Sequence, residues 1–199
     1  MKIKIAITGG IGSGKSEVGR LLREMNYSVF SCDEIYKNLI NDVEYIGALK
    51  QIFPLAIKDN KIDKLYLSNV VFSDKTARAR LNNLAHPRIM QKLFLEMEQD
   101  ENDLVFAEVP LLFEGEFQNN FDCVLVVIRE KEKRIQAICN RDGIQREQAI
   151  KRISAQYDYD LDEKDYLKKS NVFILKNNSD VSFLNKQLQG FLESINCSI

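Results

Sequence analysis

Residues Gly9–Ser16 read GGIGSGKS, and this segment is the strongest indication of the fold. It fits the phosphate-loop pattern G-x-x-x-x-G-K-[ST], in which bare glycines let successive backbone N–H groups point into one concavity. In that pattern the lysine, here Lys15, reaches the outer phosphates, and the hydroxyl of Ser16 coordinates Mg²⁺. The loop therefore predicts a site for a nucleoside triphosphate with magnesium, formed by Gly9, Gly10, Ile11, Gly12, Ser13, Gly14, Lys15 and Ser16.

The flanks of the loop have the elements that this chemistry requires. Lys2–Thr8 reads KIKIAIT, rich in β-branched residues, and predicts a strand. Lys15–Met25 carries apolar residues at helical spacing and predicts a helix. A glycine turn that binds nothing would need no such strand and helix, so the context favours the phosphate loop.

Further strands are predicted at Tyr27–Cys32, Leu104–Val109, Cys123–Ile128 and Val172–Leu175, and a helix from about Asp180 to Ile195. CVLVVI at Cys123–Ile128 is apolar throughout, as in a strand buried on both faces. Strands that alternate with helices indicate an α/β fold, a P-loop kinase-like parallel sheet with helices on both faces.

Two segments do not fit the simple alternation of strands and helices. Residues 34–103 contain helical patterns without a convincing strand, which predicts a helical substrate-binding insertion. Residues 135–170 are charged and helical, lack a large apolar face, and are expected to form a lid that is mobile without ligand. Residues 1–33, 104–134 and 171–199 are left as the nucleotide-binding core.

The composition of the chain disfavours some classes of binding partner. The 199 residues carry 28 Lys and Arg against 29 Asp and Glu, a net charge of −1, which disfavours nucleic acid or an anionic membrane as a partner. No apolar run approaches the roughly 20 residues that cross a bilayer. The four scattered cysteines suit reduced thiols, so we expect a cytoplasmic protein, either a monomer or a weak homo-oligomer.

Three kinds of nucleotide-binding protein compete. A switch is suggested by NKID at Asn60–Asp63, but that segment follows no strand and the chain lacks D-x-x-G, so a polar turn before a helix is favoured. A motor ATPase would have an aspartate after its apolar run, where this chain has Glu108. A small-molecule kinase fits best. One that phosphorylates nucleoside monophosphates is disfavoured because residues 34–99 contain only Arg78, Arg80 and Arg88.

Two carboxylates are candidates for chemistry. Asp33 follows the second strand and is the candidate general base, with an N-cap for the next helix as the alternative. Glu108 ends another strand. It either holds magnesium through water or orients Lys15, or it is a solvated strand end.

Arginines in the lid are candidates for stabilising the transferred phosphoryl group. Arg141 is the favoured one, whereas Arg146 and Arg152 are expected to face water. His86 is the single histidine and precedes Pro87, which is expected to kink its helix. A structural or substrate-contacting role is favoured for His86, since Asp33 already supplies a base.

Several motifs in chain order together resemble the dephospho-coenzyme A kinase family. They are TGGIGSGKS (Thr8–Ser16), SCD (Ser31–Asp33), NVVFSD (Asn69–Asp74), LNNLAHPRI (Leu81–Ile89), VPLLFE (Val109–Glu114), Arg141-Asp142 with a downstream Gln156, and NNSD (Asn177–Asp180). The combination of the His-Pro motif with PLLFE is far more specific than the phosphate loop.

The resemblance implies ATP-dependent phosphorylation of the ribose 3′-hydroxyl of dephospho-coenzyme A, with Mg²⁺. It implies Asp33 as proton acceptor, Arg141 at the ATP and Asn178 near the adenine. It also implies an acceptor site around Leu81, His86 and Pro87 and around Pro110, Leu111, Leu112 and Glu114.

The chain departs from the family pattern at three single positions, and its segment Tyr157–Ser170 is a few residues longer than is typical of the family. Ser31 stands where the family has a first aspartate, so Asp33 has to act alone. Ala137 replaces an arginine four residues before Arg141. Ser179 replaces a glycine after the paired asparagines, which weakens the adenine assignment.

Overall fold

The computed structural model of the chain describes residues 2–157, 159 and 171–196. The chain divides into two compact units. Residues 1–30 and 100–199 form one, which contains the phosphate loop, and residues 31–99 form the other, which is helical.

The first unit is built on a five-stranded sheet. Its strands are β1 (Ile3–Thr8), β2 (Ser28–Ser31), β5 (Leu104–Glu108), β6 (Cys123–Ile128) and β7 (Val172–Lys176), in the order β2-β5-β1-β6-β7. β1 pairs in parallel with β5 and with β6, and β6 pairs in parallel with β7. The predicted α/β class with a parallel sheet is confirmed.

The described part of this unit also contains four α-helices. They are α1 (Lys15–Glu24), α6 (Lys131–Asp142), α7 (Arg146–Ser154) and α8 (Val181–Asn196), with a short 3₁₀ turn at Phe117–Asn120. The apolar stripe of α1, including Val18 and Leu22, packs on Ile5 and Leu125 of the sheet, and Leu188 of α8 joins the same core. This packing fixes the start of α1 at the carboxyl end of β1, which is where the phosphate loop lies.

The second unit contains α2 (Cys32–Leu39), α3 (Val43–Ile52), α4 (Lys64–Ser73) and α5 (Lys75–Gln99), and a 3₁₀ turn at Pro54–Ala56. Its core gathers Tyr45, Leu49, Leu67, Leu84 and Ala85. Asp42 and Asp63 cap α3 and α4 by accepting hydrogen bonds from the N–H groups of Tyr45 and Tyr66.

One expectation about this unit is wrong. It contains a small hairpin of β3 (Ile57–Lys58) and β4 (Lys61–Ile62), too short to give a periodic signal in the sequence. Asp59 and Asn60 have positive φ angles of 48° and 57° and form its turn. The segment Asn60–Asp63 therefore contains a turn residue, strand β4 and the cap of α4, so the polar-turn interpretation was right about the turn and the following helix but missed the strand.

The helical unit spans 31–99, against the predicted insertion of 34–103. α5 runs from Lys75 to Gln99 with Pro87 inside it. Within the described residues, every helix is too short or too polar to span a bilayer. Much of the predicted lid, residues 158 and 160–170, lies outside the described residues.

Candidate active site

The phosphate loop is shaped by backbone conformations that require glycine. Gly9, Gly12 and Gly14 have φ angles of 146°, 78° and 99°. A Cβ on Gly14 would lie 2.1 Å from Nδ2 of Asn177, whose amide donates to the carbonyl of Ser13 at 2.9 Å. Asn177, which was not among the predicted site residues, thus binds the phosphate loop directly and leaves no room for a side chain at Gly14.

Lys15 lies at the start of α1 and folds over the loop. Its Nζ donates to the carbonyl oxygens of Gly9 at 2.7 Å and Gly10 at 3.1 Å. The ammonium and the N-terminus of α1 therefore place positive charge at one point, which is the electrostatic requirement of a phosphate site.

Ser16 and Glu108 form the candidate metal pair. The hydroxyl of Ser16 donates to Oε2 of Glu108 at 3.2 Å, and Arg23 lies 3.6 Å from Oε1 of the same carboxylate. Glu108 is only 9% exposed, so the interpretation as a solvated strand end is wrong. A hydroxyl and a carboxylate are the oxygen donors that Mg²⁺ prefers, so these two residues fit a magnesium ion.

Gly19 explains how the carboxylate reaches this position. It lies in the middle of α1, where glycine costs about 0.5–1 kcal/mol relative to alanine. A Cβ on Gly19 would lie 2.5 Å from Oε1 of Glu108, closer than the two atoms can approach. The helix therefore has a glycine where the buried carboxylate passes.

The helical hairpin of α6 and α7 is packed against the phosphate loop. Its core of Ile135, Ile138 and Ala149 receives the side chain of Ile11. Few residues form the apolar face of α6 and α7, which agrees with a segment that lacks a large apolar face, but those few residues pack together on Ile11.

Two polar side chains of the same hairpin region bind the backbone of Ile11. Nε of Arg134 donates to its carbonyl oxygen at 3.0 Å, and Oε1 of Gln156 accepts from its N–H at 2.6 Å. Arg134 is only 3% exposed, and its guanidinium lies against Gly10. Arg134 was not among the predicted site residues, although it lies one helical turn before Ala137, the position where the family arginine is replaced.

The arginines singled out in the lid make exposed ion pairs. Arg141 binds both oxygens of Asp142, at 2.7 and 3.1 Å, and Arg152 binds the same carboxylate. The hydrogen bond from Arg141 lowers the pKa of Asp142. Arg146 instead pairs with Glu132 at 2.8 Å. Arg141 and Arg152 thus share one anion, and the exposed Arg146 agrees with the expectation that it faces water.

Asp33 lies in the first turn of α2, exposed, in the helical unit. It is not the N-cap: Ser31 caps α2, its hydroxyl accepting from the N–H of Glu34 at 3.4 Å. The cap alternative for Asp33 is therefore wrong, because the residue that replaces the family's first aspartate already fills that role.

The proposed acceptor segments divide between the two units. Leu81 and His86 are half-buried in α5 and Pro87 is exposed, and burial lowers the pKa of His86. In the other unit, Leu111 is 37% exposed whereas Leu112 is fully buried, so of these two residues only Leu111 is accessible to a ligand.

Pro110 lies two residues after the end of β5, and the loop that it begins is bound to the chain beyond α7 at Glu114. Oε1 of Glu114 accepts from the N–H of Tyr157 at 3.0 Å. Phe113 packs on Tyr157 and Tyr159, with ring centroids 5.4 and 6.0 Å apart, and the hydroxyl of Tyr159 lies 3.1 Å from that of Thr8. These contacts join the Pro110–Glu114 loop to the chain beyond α7.

Asn178 is engaged outside the phosphate loop. Its Oδ1 accepts from the N–H of Glu130 at 2.8 Å, and its carbonyl oxygen accepts from Lys133. Its side chain thereby fastens the start of α6 to the loop after β7. The neighbouring Asn177 is the one that contacts the phosphate loop.

A parallel sheet with the order β2-β5-β1-β6-β7, a phosphate loop after β1, and a lysine and a hydroxyl–carboxylate pair at its helix define a P-loop kinase. The sequence model of the family described as Dephospho-CoA kinase matches residues 3–182. The chain belongs to this family.

Individual relatives agree. A dephospho-CoA kinase of Fusobacterium nucleatum is 34% identical over 194 residues, covering 96% of this chain and 97% of the relative. One of Thermus thermophilus is 33% identical, covering 97% and 92%. A crystal structure of a Thermus thermophilus protein superposes with a TM-score of 0.82 at 33% identity, covering 97% of both chains. The structure of dephospho-CoA kinase from Campylobacter jejuni gives 0.69 at 29% identity, covering 98% of both.

Proposed function

We propose that the chain transfers the γ-phosphoryl group of ATP to the ribose 3′-hydroxyl of dephospho-coenzyme A, giving coenzyme A and ADP, the last step of coenzyme A synthesis. The observation that carries this proposal is the family match over residues 3–182, on a chain whose phosphate loop has its lysine and hydroxyl in place. In this reaction the acceptor oxygen bonds to the γ-phosphorus as the bond to the β–γ bridging oxygen breaks.

The phosphate loop and Lys15 bind the triphosphate. The loop N–H groups hold the phosphate oxygens, and Lys15 exchanges its carbonyl partners, Gly9 and Gly10, for phosphate oxygens that gain charge during transfer. Ser16 and Glu108 would hold Mg²⁺. The carboxylate of Glu108 would act indirectly, either by orienting the Ser16 hydroxyl or by binding a water molecule on the ion. When bound, the ion neutralises charge on the β- and γ-phosphates.

Asp33 accepts the proton of the 3′-hydroxyl, or aligns that hydroxyl for attack. Its exposed position at the start of α2, and the capping of that helix by Ser31, support the role because the carboxylate is not committed to the cap. The guanidinium of Arg141 stabilises negative charge on the phosphates of ATP, and Asn178 lies near the adenine. The segments Leu81–Pro87 and Pro110–Glu114 contact the acceptor.

We also propose a cytoplasmic monomer or weak homo-oligomer without nucleic-acid partners. The thiols of Cys123 and Cys139, which form no disulfide, support a reducing compartment. The net charge of −1 supports the absence of a nucleic-acid partner.

The experiment is a coupled assay of ADP release from ATP with dephospho-coenzyme A, adenosine or a nucleoside monophosphate as acceptor. The proposal is supported if, among the three acceptors, only dephospho-coenzyme A causes ADP release from ATP. Faster ADP release with a nucleoside monophosphate refutes it. Lys15→Ala should lower kcat by more than about 10³-fold while the protein stays folded. Lys186→Ala, an exposed lysine of α8, is the matched control and should leave kcat unchanged.

A further inference from the structure

Ile11 of the phosphate loop is held at three points by residues after β6. Its side chain enters the apolar core of α6 and α7, its carbonyl oxygen accepts from Arg134, and its N–H donates to Gln156. A single residue of the loop thus carries apolar, donor and acceptor contacts to one hairpin region. This three-point contact fixes Gln156 relative to the loop.

The chain around Gln156 is fastened on its other side as well. The N–H of Gln156 donates to the carbonyl of Ile153 at 3.2 Å, and the next residue, Tyr157, donates its N–H to Glu114. The backbone N–H groups of Gln156 and of the next residue are therefore both hydrogen-bonded, which restricts the backbone that carries the Gln156 side chain. Such bonding lowers the entropy that a side chain loses when it positions a ligand.

Gln156 lines a cavity of about 200 Å³, and two of its lining residues, Arg134 and Gln156, bond the backbone of Ile11 in the loop. Lys131 and Arg134 contribute two cations to the same walls, and Ile150 and Ile153 contribute apolar surface. Two cations and a carboxamide are the chemistry of an anion site. Because the carboxamide oxygen is taken by the N–H of Ile11, the group that Gln156 has left to offer an anion is its NH₂ donor.

We propose that Gln156 is a further catalytic residue: held by the Ile11 N–H, it donates a hydrogen bond to the outer phosphoryl group of ATP while that group is transferred. Arg134 is the positioning residue that holds the other side of the Ile11 peptide. The inference rests on the proposed function, since it assigns a donor to the same reaction. A fixed donor strengthens its bond as charge develops on the phosphoryl oxygens.

The test compares Gln156→Glu and Gln156→Met with the unaltered enzyme. Glutamate keeps the oxygen that Ile11 binds but loses the donor, and methionine keeps the approximate shape but loses both. We expect kcat to fall about 10²-fold in each variant, the usual effect of removing one such donor. ATP affinity should fall in Gln156→Glu while ADP affinity, measured by calorimetry, stays the same, because ADP has no outer phosphoryl group.

Gln187 is the matched control. Its carboxamide also bonds a backbone N–H and carbonyl, those of Lys176, but on the α8 side of the unit. Gln187→Glu and Gln187→Met should leave kcat and both affinities unchanged.

Three outcomes overturn the inference: kcat within about twofold of the unaltered enzyme, equal loss of ATP and ADP affinity, or tighter binding of both. Equal loss of both affinities would mean that Gln156 only supports the structure of the loop. Tighter binding of both nucleotides would mean that Gln156 blocks the Ile11 N–H from binding phosphate. An unaltered enzyme that is inactive on dephospho-coenzyme A would instead refute the proposed function, and the nucleotide affinities would still test Gln156.

Discussion

Replacing Gly19 by alanine tests whether the buried carboxylate of Glu108 is held in place for function. A glycine-to-alanine change inside a helix ordinarily stabilises a protein by about 0.5–1 kcal/mol. At Gly19 the new Cβ would lie 2.5 Å from Oε1 of Glu108 and 3.2 Å from its Cδ. The carboxylate has to move, and its hydrogen bond from Ser16 is the contact at risk.

The two effects oppose each other, and their sizes decide the sign. A hydrogen bond to a charged group contributes about 1.5–3 kcal/mol, which exceeds the helix gain. We therefore expect Gly19→Ala to destabilise the protein by about 1 kcal/mol, a fall in Tm of about 2–4 °C for a chain of this size. Glu108 orients the Ser16 hydroxyl that would bind magnesium. We therefore expect kcat to fall by about 10- to 100-fold and the Mg²⁺ concentration that gives half-maximal activity to rise.

Gly190 provides the control. It lies in α8 of the same unit, and a Cβ there would meet nothing within 4 Å. Gly190→Ala should raise the free energy of unfolding by about 0.5–1 kcal/mol with kcat unchanged. Melting curves and kcat titrated against Mg²⁺ measure both variants. If Gly19→Ala is stabilised as much as Gly190→Ala and keeps its kcat, the role of Glu108 is refuted.

Other predictions follow from single residues. Asp33→Asn should lower kcat by about 10²- to 10⁴-fold with little change in KM for ATP, and a folded variant with more than about half of its kcat would exclude the base. In steady-state kinetics Arg141→Gln should lower kcat more than Arg146→Gln, and equal effects would count against an ATP role for Arg141. In hydrogen exchange the amides near Ile135 and Ile138 should be protected without nucleotide, and fast exchange there would contradict their packing on Ile11.

The sequence predicted the sheet and the phosphate loop well because both have strong local signals. Cys123–Ile128 is apolar at every position and forms β6 with the predicted bounds. The hairpin of β3 and β4 was missed because two-residue strands have no period to detect. The alternative that Asp33 caps α2 was wrong because Ser31 and Asp33 both suit a helix N-terminus, and only the structure shows that Ser31 accepts the capping hydrogen bond.

Within the candidate site, the residues that the sequence could not supply are those whose role depends on burial. Glu108 ends a strand, and nothing local shows that a glycine in α1 makes room for its carboxylate. Arg134 has the composition of a solvated helix face, yet it is 3% exposed and bonded to Ile11. The available clue was indirect: an arginine was missing at position 137, and another occurred one turn earlier on the same helix face.

Burial also changes how the lid should be understood. A charged hairpin with few apolar residues suggests a segment that moves freely, but Ile11 packs where those few residues meet. Any movement of α6 and α7 has to carry Ile11, or else break its hydrogen bonds to Arg134 and Gln156. Since Ile11 lies between the glycines that shape the phosphate loop, the position of the hairpin and the shape of the loop are coupled. A ligand that favours one arrangement of the loop therefore favours the matching arrangement of the hairpin, by as much as its affinities for the two arrangements differ.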